Sequence, residues 1–146
     1  MTHLPTFLAY AAAFEKTYAD DDWSRLEPFF TDDVVYQVSG LPAACTLRGR
    51  AQMLAGMKKS LDGFDRRMAE RRIVPTSPPT EADETVTLHG VVHYRRAGSE
   101  VGELRATIVA TFTGDRISQM HDHFVLDAPA IAWLGAHATD LDGSYV

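Results

Sequence analysis

Apolar positions in the first part of the chain recur at three- and four-residue steps. Phe7, Tyr10, Ala11, Phe14 and Tyr18 make one aromatic stripe, which predicts an amphipathic helix with Pro5 in its first turn. The acidic run Asp20-Asp21-Asp22 ends that helix. Asp22 is placed to cap a second, short helix from Trp23 to about Phe30, with Leu26, Phe29 and Phe30 as its apolar contacts. Val34-Val35-Tyr36-Gln37-Val38 is β-branched and aromatic, which predicts a short strand broken by Ser39-Gly40-Leu41-Pro42. A third helix is expected from about Arg50 to Leu61, with Met53, Leu54, Met57 and Leu61 inward and Gly63 as its stop.

Beyond the polar, proline-containing segment 75–83 the apolar period changes from 3.6 to 2. Strands are expected at about 84–96, 103–112 and 116–126, preceded by another around 67–76. A loop over 97–102 and a tight turn at Gly114-Asp115 connect the last three. Helices followed by a long antiparallel meander predict an α+β domain, its helices packed on one face of a curved sheet. No repeat or linker divides the chain, so residues 1–146 read as a single domain with a core of about 4–127 and a C-terminal tail, 128–146.

Composition narrows the function classes. At 146 residues, 45% hydrophobic and 23% charged, the chain can bury a core without staples. A net charge of −6 and the lack of a long basic run argue against nucleic-acid or anionic-membrane partners. Arg66, Arg67, Arg71 and Arg72, interleaved with Asp65 and Glu70, read as a solvated face. Cys45 is the lone cysteine, which excludes an internal disulfide and reads as a small buried filler. With neither a basic leader nor an apolar run approaching ~18 residues, a cytoplasmic location is expected. No glycine-rich phosphate loop, nucleophile elbow or Walker-type lysine appears.

The candidate chemistry lies in Gln119-Met120-His121-Asp122-His123-Phe124, where Asp122 faces opposite to both histidines. A two-residue turn at Gly114-Asp115 would set Phe112 against Ile117 and Thr107 against Asp122. One face then carries Arg105, Thr107, Val109 and Thr111 with Ser118, Met120, Asp122 and Phe124. The other carries Leu104, Ala106, Ile108, Ala110 and Phe112 with Ile117, Gln119, His121, His123 and Val125. A slip of one residue exchanges the two sets. His89 and His93 share a strand face, which this register sets across from Val109 and Arg105 and on the side of Asp122. It also separates them from His121-x-His123, so surface or interface histidines are preferred to a metal site and no metal is expected.

The order of these segments resembles the nuclear transport factor 2-like superfamily, in its SnoaL-like and limonene-epoxide-hydrolase-like branches. It is carried by the aromatic helix, the Asp-Trp step, Phe29-Phe30-Thr31-Asp32-Asp33-Val34-Val35-Tyr36, Leu47-Arg48-Gly49-Arg50 before a helix, and the meander, over roughly residues 4 to 127. The resemblance implies a cone-shaped α+β barrel, N-terminal helices packed into a strongly curved antiparallel or mixed sheet around a deep apolar pocket, and a homodimer formed through the sheet. Tyr36-Gln37 resembles the Tyr-Gln step whose tyrosine helps hold the attacking water in the epoxide hydrolases. His121-Asp122-His123-Phe124 resembles their Arg-Asp-Tyr-Phe stretch, whose aspartate points into the pocket. Their water-binding asparagine falls on Val38, and their Arg-x-Asp pair on His89-Gly90-Val91, so a second carboxylate is missing here.

The resulting expectation is a cofactor-independent acid/base enzyme for a small hydrophobic metabolite. Asp122 is the acid/base, Tyr36 a hydrogen-bond donor or water holder, and His89 a secondary polar partner. Phe14, Tyr18, Trp23, Val38, Val91, His93, Val109, Met120 and Phe124 are expected to line the pocket. Cyclisation, isomerisation, dehydration and epoxide opening all stay open. The alternative is a non-catalytic small-molecule-binding or assembly module of the same fold.

Overall fold

The structure, a computed structural model, describes residues 2–42 and 44–146. Helix α1 spans Leu4–Asp20 and buries Phe7, Tyr10, Ala13 and Thr17; of the aromatic stripe, Phe7 and Tyr10 are buried, whereas Ala11, Phe14 and Tyr18 are half-buried at its edge. It ends where Asp21 takes a left-handed conformation, its amide donating to the Thr17 carbonyl. The expected second helix is a 3₁₀ segment, Trp23–Phe29, that buries Leu26. Asp22 flanks it without capping it, because its carboxylate accepts from the Ser24 hydroxyl.

Among the described residues, seven strands form one open, mixed sheet: β1 Phe30–Ser39, β2 Cys45–Arg48, β3 Glu70–Pro75, β4 Thr80–Ala82, β5 Thr85–Arg95, β6 Gly102–Thr113 and β7 Arg116–Val125. Their order is β2-β1-β7-β6-β5-β3, with β4 on β5; β1 and β7 run parallel and the other pairs antiparallel. Helix α2, Arg50–Gly63, buries Met53, Leu54, Met57 and Leu61, as its spacing requires. Helix α3, Ala128–His137, lies in the segment read from sequence as a tail. Its N-terminus is capped by the Asp127 carboxylate, which accepts from the Ala130 amide.

The core sits between the helices and the inner face of the sheet, around Phe7, Leu26, Phe30, Val34, Met53, Val86 and Ile117. A second cluster packs α3 onto the far strands, with Trp133 against Tyr94 and Leu104. Trp133 lies so close to Gly102 that a Cβ there would stand 2.2 Å from its ring, so the strand needs glycine at that point.

The register of β6 and β7 departs from expectation after a correct start. Phe112 pairs with Ile117 as expected, but Thr111 pairs with Gln119, which makes Ser118 an extra residue in β7. The Ser118 hydroxyl donates to the Thr111 carbonyl and accepts from the Thr113 hydroxyl, satisfying the bulge locally. Beyond it every β7 residue is shifted by one. Asp122 therefore pairs with Ile108, not Thr107, and Met120 with Ala110. The inner face joins Ala106, Ile108 and Ala110 to Met120, Asp122 and Phe124. The outer face joins Thr107 and Val109 to Gln119, His121 and His123.

Candidate functional site

A cavity of about 780 Å³ lies between α1, α2 and the inner sheet face. Its walls are mostly apolar, from Phe7, Phe14, Leu88, Ile108, Met120 and Phe124 among others. Asp122 is on that wall. The residue is half-buried, but its carboxylate is shielded: Oδ2 accepts a 2.5 Å hydrogen bond from the Tyr36 hydroxyl, and Oδ1 is out of reach of solvent with no hydrogen-bond partner. Burial raises the Asp122 carboxyl from 3.8 to about 6, against the lowering effect of the Tyr36 hydrogen bond. The phenol of Tyr36, buried and beside a carboxylate, sits well above its ordinary value and stays protonated at any working pH. Tyr10 is pushed the same way by burial and then by Asp122.

Of the residues expected at the site, Asp122, Tyr36, Phe14, Met120 and Phe124 share the cavity wall. The others lie elsewhere. His89 is exposed on the outer face, its Nδ1 2.9 Å from the Thr107 hydroxyl, and so does not face Asp122. Pairings across β5 and β6 place His93, Val91 and Val109 on that outer face as well. The bulge at Ser118 explains the error, because the expected register had set Val109 and Thr107 beside Asp122. Val38 is inward but wholly packed in the core. Trp23 stands edge-on to Phe14 with its indole N–H on Asp21, and Tyr18 donates to the Asp65 carbonyl; neither lines the cavity.

His89, His93, His121 and His123 consequently share one face, where two pairs on opposite faces were expected. Ser39 stands between the last two, its hydroxyl 2.6 Å from His121 Nε2 and 2.7 Å from His123 Nδ1. Among the described residues, no group of His, Cys, Asp or Glu side chains is arranged to hold a metal ion.

Sequence reading missed a second polar cluster on the cavity wall. Arg71 is buried, not solvated: its Nε donates to Asp65 at 2.8 Å and its Nη1 to Glu15 at 2.9 Å, while its guanidinium lies 4.6 Å from the Tyr18 ring centre. Tyr94 donates to the same Asp65 oxygen at 3.2 Å. Burial opposes the charged guanidinium, and Asp65 and Glu15 more than offset it, holding Arg71 above its ordinary value. The cluster was hidden because Asp65 and Arg71 lie on different elements, brought together by the 3₁₀ turn Asp65–Arg67 that precedes β3.

Residues 10–120 match the model of the SnoaL-like domain. The chain belongs to that family. No curated protein matches it. Solved structures share the SnoaL-like fold at low identity. A Catenulispora acidiphila protein with a ketosteroid isomerase-like fold, in complex with trimethylamine, is 19% identical over 86% of this chain and 92% of its own, with a TM-score of 0.63. A Shewanella putrefaciens protein, provisionally assigned as a SnoaL-like polyketide cyclase, is 12% identical over 89% and 96%, with a TM-score of 0.66. TerC, co-crystallised with polyporic acid, is 18% identical over 87% and 95%, with a TM-score of 0.62. The cone-like α+β architecture is thus that of the nuclear transport factor 2-like superfamily. No helix among the described residues is long and apolar enough to cross a membrane.

Proposed function

We propose that this SnoaL-like chain is a cofactor-independent acid/base enzyme acting on a small hydrophobic metabolite. One observation carries the reading: an unpartnered, shielded carboxylate oxygen on the wall of an apolar cavity. Leaving such an atom unpaired costs stability, and groups with that cost concentrate where proton transfer is needed. Tyr36 fixes Oδ2, which leaves Oδ1 as the acceptor for a substrate proton bound to carbon or oxygen. The O–H bond forms on Oδ1 as the substrate bond breaks, its electron pair stays on the substrate, and the neutral acid returns the proton elsewhere. Tyr36 serves as donor to the carboxylate, and His89 takes no part. Cyclisation, isomerisation, dehydration and epoxide opening all follow this pattern. The apolar cavity wall, with the polyporic acid co-crystallised with TerC and the polyketide cyclase assignment of the Shewanella protein, supports a small, largely apolar organic substrate.

The test is turnover of a panel of such compounds. kcat/KM should rise with pH through about 6 and then level, because the ionised carboxylate is the base. A profile that is flat across pH 6, with turnover intact, removes Asp122 from the proton transfer. Compounds that bind but are never turned over would establish the non-catalytic binding module in its place.

The same reading includes a homodimer through the outer sheet face. Gln37, Gln119, His89 and His123 are exposed there, and Val125 is 44% exposed. Sedimentation velocity should give a dimer, and a species that stays monomeric at every concentration rejects this pairing.

A further inference from the structure

The buried arginine on the cavity wall does not spend all of its donors. Arg71 directs Nε at Asp65 and Nη1 at Glu15, and among the described residues Nη2 has no acceptor. Thr31, Arg66 and Asp122 each hold a polar atom that is shut away without a partner, but Arg71 does not, so Nη2 is open to small molecules. The side chain as a whole is only 4% exposed, and it lines the cavity. Its plane is fixed. The guanidinium centre lies 4.6 Å from the Tyr18 ring centre and 5.9 Å from that of Phe14, and two ion pairs hold its other edges. A flat, permanently charged fork held in this way presents its open nitrogen as a preset hydrogen-bond donor.

We propose that Arg71 is a specificity residue, whose open Nη2 binds an uncharged carbonyl or hydroxyl oxygen at one end of an elongated, otherwise apolar ligand. Charge selects the neutral group. Arg71 carries a single positive charge, while Asp65 and Glu15 beside it carry a negative charge each, so a carboxylate or phosphate would meet a net negative site. Position selects the length. Asp122 is on β7 and Arg71 on β3, with β6 and β5 between them. Three strand spacings span about 14 Å on a flat sheet, a distance that curvature and the reach of the arginine shorten. The wall between is apolar, from Ala106, Ile108, Leu88 and Val92. The ligand that fits is long, apolar along its body and tipped by a neutral oxygen. This subsite rests on the proposed reading of the cavity as a ligand site, and not on proton transfer at Asp122.

Calorimetric titration with isosteric probes tests this without turnover, so its failure is distinct from that of the acid/base reading. The probes para-acetylbiphenyl and para-isopropenylbiphenyl differ only in a C=O against a C=CH₂ group, and biphenyl-para-carboxylate puts a charge in the same place. At pH 8 Asp122 is ionised and Tyr36 already donates to it, so this pair offers the ketone no proton. The wild-type protein should bind the ketone about 10-fold more tightly than the alkene, and the carboxylate more weakly than the ketone. Arg71→Met combined with Asp65→Asn leaves no buried charge behind. It should bind the alkene as the wild type does, and the ketone within about twofold of the alkene. Arg71→Lys keeps a charge for Asp65 but loses the open nitrogen, and serves if the double variant does not fold. A ketone that binds no better than the alkene, or a carboxylate that binds more tightly than either, overturns the proposal. So does a ketone preference that survives loss of the guanidinium. Equal weakening of ketone and alkene in the variants also overturns it, since Arg71 would then only support the wall.

Discussion

Asp122→Asn should lower turnover by about 10²–10⁴-fold and at the same time make the folded chain more stable above pH 6. Both effects have one origin. Burial raises the carboxyl from 3.8 to about 6, so the folded protein resists an ionisation that the unfolded chain undergoes freely. Well below 3.8 the group is protonated in both states and costs nothing. As pH rises from the unfolded value to the folded one, the unfolded chain releases its proton while the folded chain keeps it, so stability falls and then levels off above about 6. Two units correspond to about 3 kcal/mol in full, of which all but about half a kcal/mol is lost above pH 4. Asparagine does not titrate, and its amide can still accept from Tyr36, so the variant escapes this loss. Chemical denaturation at pH 4 and pH 7.5 should show the gap between the two proteins widening by about 2–3 kcal/mol. A constant gap would mean that the carboxylate is solvated, and with it the reason for Asp122 to be poised as a base would go. A stability gain coupled to a turnover loss is what a strained functional group gives; a carboxylate placed for structure would lose on both counts.

How much of this could be read from the sequence depends on the range over which each feature is determined. The aromatic spacing of α1, the inner face of α2 and the alternation of β5 to β7 are local periodicities, and the structure follows them closely. Strand β2, Cys45–Arg48, has no such signal: four residues are too few to show a period, and the strand exists because it pairs with β1. Helix α3 did carry a signal, an aspartate cap at Asp127 followed by Pro129, although its apolar composition lacks a polar stripe.

The site was legible in one residue more than in its surroundings. The family resemblance set Asp122 inward, and the structure places it there, but on a different register. Nothing in Ser118 itself announces a bulge, yet that one extra residue transfers Ala106, Ile108 and Ala110 to the face of Asp122 and moves Thr107 and Val109 away. His89 and His93 left the site for this reason. The Asp65–Arg71 pair and the Tyr36–Tyr145 contact are tertiary, and sequence periodicity has no access to either.

Arg71→Ala should destabilise the fold by about 3–5 kcal/mol, the largest single loss expected among the charged residues. The side chains of Arg71 and Asp65 are only 4% and 12% exposed, so removing the guanidinium strands a carboxylate that water cannot reach. Tyr94 and the local backbone would still donate to Asp65, but a neutral hydroxyl does not replace a guanidinium. Glu15, which is 49% exposed, loses a partner at little cost because solvent can take its place. Burial already holds the Asp65 carboxyl above its ordinary value, against the lowering effect of Arg71, and without the guanidinium the stranded group would escape by holding its proton, which raises it further. The loss should therefore be full near pH 7 and shrink as pH falls toward about 4. The pairwise nature of the effect can be checked directly. Asp65→Asn should recover part of the loss when combined with Arg71→Ala, since no charge is then left buried, whereas Asp65→Asn alone should cost less than Arg71→Ala alone. If the two losses simply add in denaturant titrations, the pair is not electrostatically coupled. Arg71 would then act through its packing on Tyr18 and Phe14.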